Sequence, residues 1–146
     1  MARIERFEDI IAWQKARELN KLIYSVTQQG QFAKDFDLTR QIRRCSISIL
    51  SNIAEGFERS SVKQFLFFLN IAKASAAELR AQLYVANDLN YITNETTEDL
   101  MARVISVSKM ISGLMKYLQN SSGEVKEEVP EYSANFQTLE LSNFSE

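Results

Sequence analysis

Between Asp37 and Ser61 the apolar residues Leu38, Ile42, Cys45, Ile49 and Ile53 recur in steps of four, three, four and four. That spacing draws one buried stripe along an α-helix. A second row, Ile47, Leu50, Ala54 and Phe57, flanks it, so the pattern predicts a helix covered on two sides, by partner helices or by another subunit. Three more helices follow from the same periodicity. The first runs from about Arg6 to Gln29, with Ile11, Leu19, Leu22, Ile23 and Val26 inward and Lys15 as the polar intruder. A competing line through Ile10, Trp13 and Ala16 is interrupted by Asn20. Trp13 and Tyr24 fall off the preferred line, where each ring packs on a neighbour and keeps its polar tip near water. The third helix extends from Ser60 or Ser61 to about Asn90, with Phe65, Phe68, Leu69, Ala72, Ala76, Leu79, Leu83 and Ala86 inward. The fourth starts at Thr96 or Thr97 and turns Leu100, Val104, Val107, Ile111, Leu114 and Leu118 to the core.

The residues between these segments are stop and start signals. Gly30 ends the first helix, Asn90 suits a left-handed cap on the third, and Asp37 or Thr39 caps the second. Phe32 and Phe36 anchor the short link before it. Four helices joined by short links predict an all-α, antiparallel up-down-up-down bundle over residues 1–120. Residues 121–146, with Pro130 and scattered Ser and Asn, read as a flexible acidic tail that folding does not need.

Composition narrows the chemistry. The chain has 146 residues, no His and one Cys. This removes His-based acid–base catalysis, Cys–His and Ser–His–Asp nucleophiles and an ordinary zinc site within one chain. A di-metal carboxylate bundle needs Glu-x-x-His pairs and is disfavoured on the same ground. No phosphate-cradling Gly-rich loop occurs. The expectation is a protein that is not an enzyme and needs no metal or cofactor. The opening MARIERFEDII is charged throughout, and no apolar run reaches membrane-spanning length, so a cytoplasmic protein with no membrane contact is expected. The net charge of −2 conceals an uneven distribution. Residues 1–120 hold 16 Lys+Arg against 13 Asp+Glu, or +3, and residues 121–146 hold one Lys against six Glu, or −5.

The blocks FEDIIAWQKARELNKLIY, QIRRCSISILSNIAEGFERSS and FLFFLNIAKASAAELRAQLYVANDLNYI, in that order, resemble the bacterial four-helix-bundle proteins encoded in intervening sequences of large-subunit (23S) ribosomal RNA genes. The accessory variability proteins of diversity-generating retroelements look like relatives of the same family. The resemblance covers roughly Ile4 to Leu118. It implies the bundle fold and a homopentamer. For the retroelement relatives it also implies partnership with a reverse transcriptase and its RNA. Relatives commonly carry Pro where Leu50 stands here and Gly where Asn90 stands. The first change lets the second helix run straight through, and the second keeps the left-handed cap.

Two clusters stand out. Arg40, Arg43 and Arg44 crowd one end of the second helix, and guanidinium forks suit phosphate oxygens. Lys15, Arg17 and Lys21 on the first helix, and Lys63, Lys73 and Arg80 on the third, extend the field. The alternative is a set of ordinary solvated charges, some paired with Glu55, Glu58 or Glu78. Without aromatic stacking residues among the basic ones, sequence-specific reading of single strands has little support. The polar line Ser48, Ser51, Asn52, Glu55 and Arg59 fits a structural or subunit-interface role, with Glu55 and Arg59 at ion-pair spacing. Cys45, on the apolar stripe, reads as a small buried hydrophobe. The expected function is a non-catalytic, oligomeric adaptor for RNA or DNA backbone, for a protein such as a reverse transcriptase that handles nucleic acid, or for both. A structural or protein-interaction bundle without nucleic-acid affinity is the alternative.

Overall fold

The computed structural model describes residues 4–121; the acidic tail expected from the sequence lies outside them. Four helices, α1 (Ile11–Thr27), α2 (Phe36–Phe57), α3 (Val62–Asp88) and α4 (Asn94–Asn120), follow one another, with single 3-10 turns at Phe7–Asp9 and Phe32–Lys34. Each helix packs on the next and α4 closes back on α1, giving an all-α four-helix bundle with no strand among the described residues.

The apolar stripes of α2, α3 and α4 form the core. Leu38, Ile42, Cys45, Ile49 and Ile53 are all buried, as are Leu69, Leu79 and Leu83 on α3 and Val104, Ile111 and Leu114 on α4. Phe68, expected inward, is only half-buried. The second row of α2 is covered in part: Leu50 and Phe57 pack against the core, but Ile47 is 40% exposed. α2 continues through Leu50 without a break.

α1 departs most from its pattern. It begins at Ile11, because Ile10 is extended (φ −75°, ψ 121°) and a separate 3-10 turn precedes it. Its buried line is Ala12, Ala16, Leu19, Ile23 and Thr27, while Ile11, Leu22 and Val26 lie half-buried on the flank. Small side chains at positions 12 and 16 let the neighbouring helices close in. The polar positions beside this line are satisfied across the seam with α2. Ser46 Oγ donates to Asn20 Oδ1 at 2.9 Å, and Arg43 Nε donates to Thr27 Oγ1 at 2.9 Å. Trp13 packs edge-on against Phe7 with centroids 5.1 Å apart, and its Nε1 is buried without a hydrogen-bond partner among the described residues. Its polar tip is therefore not near water.

The helix ends also correct the sequence reading. Asp35, not Asp37 or Thr39, caps α2 by accepting from the Leu38 amide at 3.1 Å. Thr39 faces inward and donates to the Phe32 carbonyl at 3.0 Å. α4 begins at Asn94, ahead of Thr96, because Thr93 takes the capping role and accepts from the Thr96 amide at 3.0 Å. Asn90 is left-handed (φ 61°), and the amides of Asn90 and Tyr91 close back on Asn87 and Ala86, each at 2.9 Å. This double closure is a Schellman cap. Phe36, expected as an anchor, is 72% exposed.

At this end of the bundle one contact ties the α1–α2 link to the α3–α4 link. The fully buried ring of Phe32 stacks on Tyr91 with centroids 5.2 Å apart. The Tyr91 hydroxyl donates to Asp35 Oδ2 at 2.9 Å. That bond raises the phenol pKa above its ordinary value near 10. A raised folded-state pKa means that this contribution is fully present below the unfolded value and is lost as pH climbs through the folded one, so the latch is intact at neutral pH.

At the opposite end, Gly56 lets α2 pack tightly on α3. A Cβ there would lie 2.8 Å from Phe68 Cβ and 3.0 Å from the Phe65 ring. The gain in helix propensity is only about 0.5–1 kcal/mol, whereas overpacking costs about 1–3 kcal/mol. Gly56→Ala is therefore expected to lower stability by about 1–2 kcal/mol in urea denaturation. A rise in the urea midpoint would show that the two helices separate easily at this point.

Candidate nucleic-acid interface

The first three turns of α2 carry the arginine cluster, and the spacing decides how each side chain is used. Arg40 and Arg44, one turn apart, are exposed. Arg43 is rotated toward α1. Its Nε bonds Thr27, and its guanidinium sits 4.5 Å from the centre of the Tyr24 ring. Together with Tyr24, Phe36, Thr39, Ile47, Ser48, Ser51 and Asn52 these arginines line an open groove of about 730 Å³. Among the described residues no carboxylate lines it, and Arg40 and Arg44 form no ion pair. Among the described residues the groove's positive charge thus has no ion-pair partner on its lining.

Of the other basic residues proposed from the sequence, Arg17 and Lys21 are exposed two turns and one turn before Tyr24, on the same side of α1, and prolong this face. Arg17 lies 5.7 Å from the Trp13 ring. Lys15 instead pairs with Glu18 at 3.4 Å, beside α4. Lys63 lies in the first turn of α3, at the far end of the bundle. Lys73 and Arg80 share a face of α3 with Tyr84, which lines a different groove against α4. The structure therefore brings Arg17 and Lys21 to the α2 cluster and separates Lys15, Lys63, Lys73 and Arg80 from it.

The polar line on α2 is occupied at the seam with α3. Ser48 and Ser75 share a hydrogen bond at 2.8 Å, and Asn52 Nδ2 donates to the Ser48 carbonyl at 2.8 Å and to its Oγ at 3.0 Å. Arg59 pairs with Glu55 at 2.7 Å and lies 4.8 Å from the Phe68 ring. Ser51 is exposed at the groove. Two arginine–aromatic pairs were not legible in the sequence, since Arg43–Tyr24 joins two helices and Arg59, in the α2–α3 link, meets Phe68 on α3. Phe36, one turn before Arg40 on the same face, and Tyr24 correct the expectation that no aromatic residue stands among the basic ones.

Comparison with known proteins agrees with this architecture. Residues 8–113 match the sequence profile of the 23S rRNA-intervening sequence protein. The chain belongs to that family. A crystal structure at 1.70 Å of a protein of unknown function from the S23 ribosomal protein family, from Bacteroides thetaiotaomicron, is 28% identical, with a TM-score of 0.67. The similarity covers 73% of this chain and 99% of that one. No curated protein matches. This member of the 23S rRNA-intervening sequence family has no helix among its described residues long and apolar enough to cross a membrane. Nor do three or more of its described Cys, Asp or Glu side chains converge where a metal ion would bind.

Cys45, on the same helix, is buried, and its thiol donates to Glu78 Oε2 at 2.8 Å. Burial first, then the bond and the charge of Glu78, push its pKa up to about 12. Because the thiolate is the reactive form, Cys45 is expected to resist a disulfide reagent at pH 8 in the folded protein and to react on denaturation. Rapid labelling of the native protein would show that the α2–α3 seam opens.

Proposed function

We propose that this family member is a non-catalytic, self-associating helical adaptor whose α2 face holds the backbone of RNA or DNA, beside a protein that handles nucleic acid, such as a reverse transcriptase. The observation that carries the reading is the carboxylate-free groove with Arg40 and Arg44 exposed and unpaired on it. Guanidinium groups present paired donors to phosphate oxygens, and Arg17 and Lys21 lengthen the same field. The family's name supports RNA over DNA as the first ligand to test, because such proteins are associated with sequences inserted in ribosomal RNA. Titration of the protein with structured RNA at several salt concentrations tests it. Affinity should fall steeply with salt and depend little on sequence. Absence of a shift at low salt would remove the nucleic-acid reading and leave a protein-interaction bundle.

That second reading draws on a different surface. Phe67 is 62% exposed, Leu89 49% and Val85 45%, all on the outer side of α3. A helix apolar on both faces is suited to being covered by another copy. We take self-association, with the pentamer implied by the family resemblance, to use this surface. Light scattering should return about five times the chain mass of 16.8 kDa. The monomer mass at micromolar concentration would sink it.

A further inference from the structure

The α2 groove is not purely a phosphate surface. Beside the unpaired Arg40 and Arg44 it exposes Phe36, 72% open, and Ile47, 40% open. A phosphate backbone answers the arginines but leaves these apolar side chains in water. A segment with carboxylates interleaved with aromatic or aliphatic residues satisfies both.

The chain contains such a segment. Residues 131–146 read EYSANFQTLELSNFSE, with Glu131, Glu140 and Glu146 and no basic residue. Tyr132, Phe136 and Leu139 follow Pro130 at i, i+4 and i+7, the spacing at which one helical face carries three anchors into a groove. Charge is complementary as well, −5 over residues 121–146 against +3 over residues 1–120. Position permits the contact. α4 runs in the same direction as α2 in this bundle, so Asn120 and Phe57 lie at the same end. Arg43, in the middle of the groove, is fourteen residues up α2 from Phe57, or about 21 Å at 1.5 Å per residue. The ten residue-to-residue steps between Ser121 and Glu131 span up to about 33–36 Å when extended, enough to climb that height and cross the bundle. The outer face of α3, the other apolar surface, carries Glu78, which bonds the Cys45 thiol, and Asp88 against Lys63 and no arginine, so it attracts an acidic segment less than the groove does.

We propose that the groove formed by Phe36, Arg40, Arg44 and Ile47 is the docking site of the chain's own C-terminal segment, anchored by Tyr132, Phe136 and Leu139, and that this segment competes there with nucleic acid. The competition rests on the nucleic-acid reading above; the docking does not. The glutamates neutralise the arginines while the aromatic anchors cover Phe36 and Ile47. Phosphate then has to displace a tethered competitor, which lowers affinity and makes binding more selective for ligands with many phosphates.

The test uses the full chain with Phe136 replaced by photoreactive benzoylphenylalanine. After irradiation, mass spectrometry should place the cross-links on α2 between Phe36 and Asn52 or on Tyr24, whether within one chain or between copies. Adding Arg40→Gln and Arg44→Gln should abolish them. Cross-links on the outer face of α3, or none, overturn the docking. In a second arm, the full chain carrying Phe136→Ala and Leu139→Ala should bind structured RNA roughly three- to tenfold more tightly at low salt. Equal affinity would overturn the competition. If neither chain binds RNA while the cross-links fall in the groove, the nucleic-acid reading fails and the docking stands. If RNA binds but the cross-links fall elsewhere, the reverse holds.

Discussion

Phe32→Ala is expected to destabilise the protein by about 3–5 kcal/mol, at the upper end of core truncations. Phe32 is fully buried although it sits in a link rather than a helix. Its ring stacks on Tyr91, and its carbonyl accepts from Thr39. Both links at this end of the bundle close on this one side chain. Alanine would leave a cavity that the surrounding helices cannot fill, because Asp35 is held by the Leu38 amide and the Tyr91 hydroxyl. For a domain of this size the loss corresponds to a fall in Tm of roughly 12–20 °C. Tyr91→Phe, which keeps the ring stack and removes only the hydroxyl, should cost far less. Equal losses from the two substitutions would locate the latch in the hydrogen bond instead of the ring. A near-unchanged Tm for Phe32→Ala would show that the links do not hold the helices together.

Neutralising Arg40, Arg43 and Arg44 to Gln is expected to weaken RNA binding roughly 10–100-fold at low salt, across unrelated sequences. The salt dependence should flatten by roughly 0.7–0.9 in slope for each phosphate that an arginine no longer neutralises. The structure separates the three. Arg43 joins α1 to α2 through Thr27 and Tyr24, so Arg43→Gln alone should also lower stability, by about 1 kcal/mol. Arg40 and Arg44 touch no acidic partner among the described residues, and Gln has nearly the helix propensity of Arg. The double variant Arg40→Gln, Arg44→Gln is therefore the cleaner probe: it should keep Tm and mass while losing most of the affinity. Unchanged RNA affinity in that folded, correctly assembled protein would take the groove out of the binding site.

The number of helices, the core faces of α2, α3 and α4, and the Asn90 cap follow from the sequence alone. A long row of large apolar side chains at helical spacing marks the inward face, and a left-handed residue after a helix is satisfied by local hydrogen bonds. The arginine cluster is equally local, since residues one turn apart on α2 meet wherever the bundle places them. The inner line of α1 was legible only at Leu19 and Ile23. Ala12, Ala16 and Thr27 bury less apolar area than Leu22 or Val26, and they lie inside because the neighbouring helices approach closely there and Arg43 and Ser46 satisfy the polar groups. The capping role of Asp35 was settled by the 3-10 turn ahead of it and by Tyr91, a residue distant in sequence. Which basic residues share a face with the arginines was likewise a matter of packing. Helix spacing orders side chains around one axis, but the rotation of each helix against its neighbours is set by side-chain size and by hydrogen bonds that cross the seams.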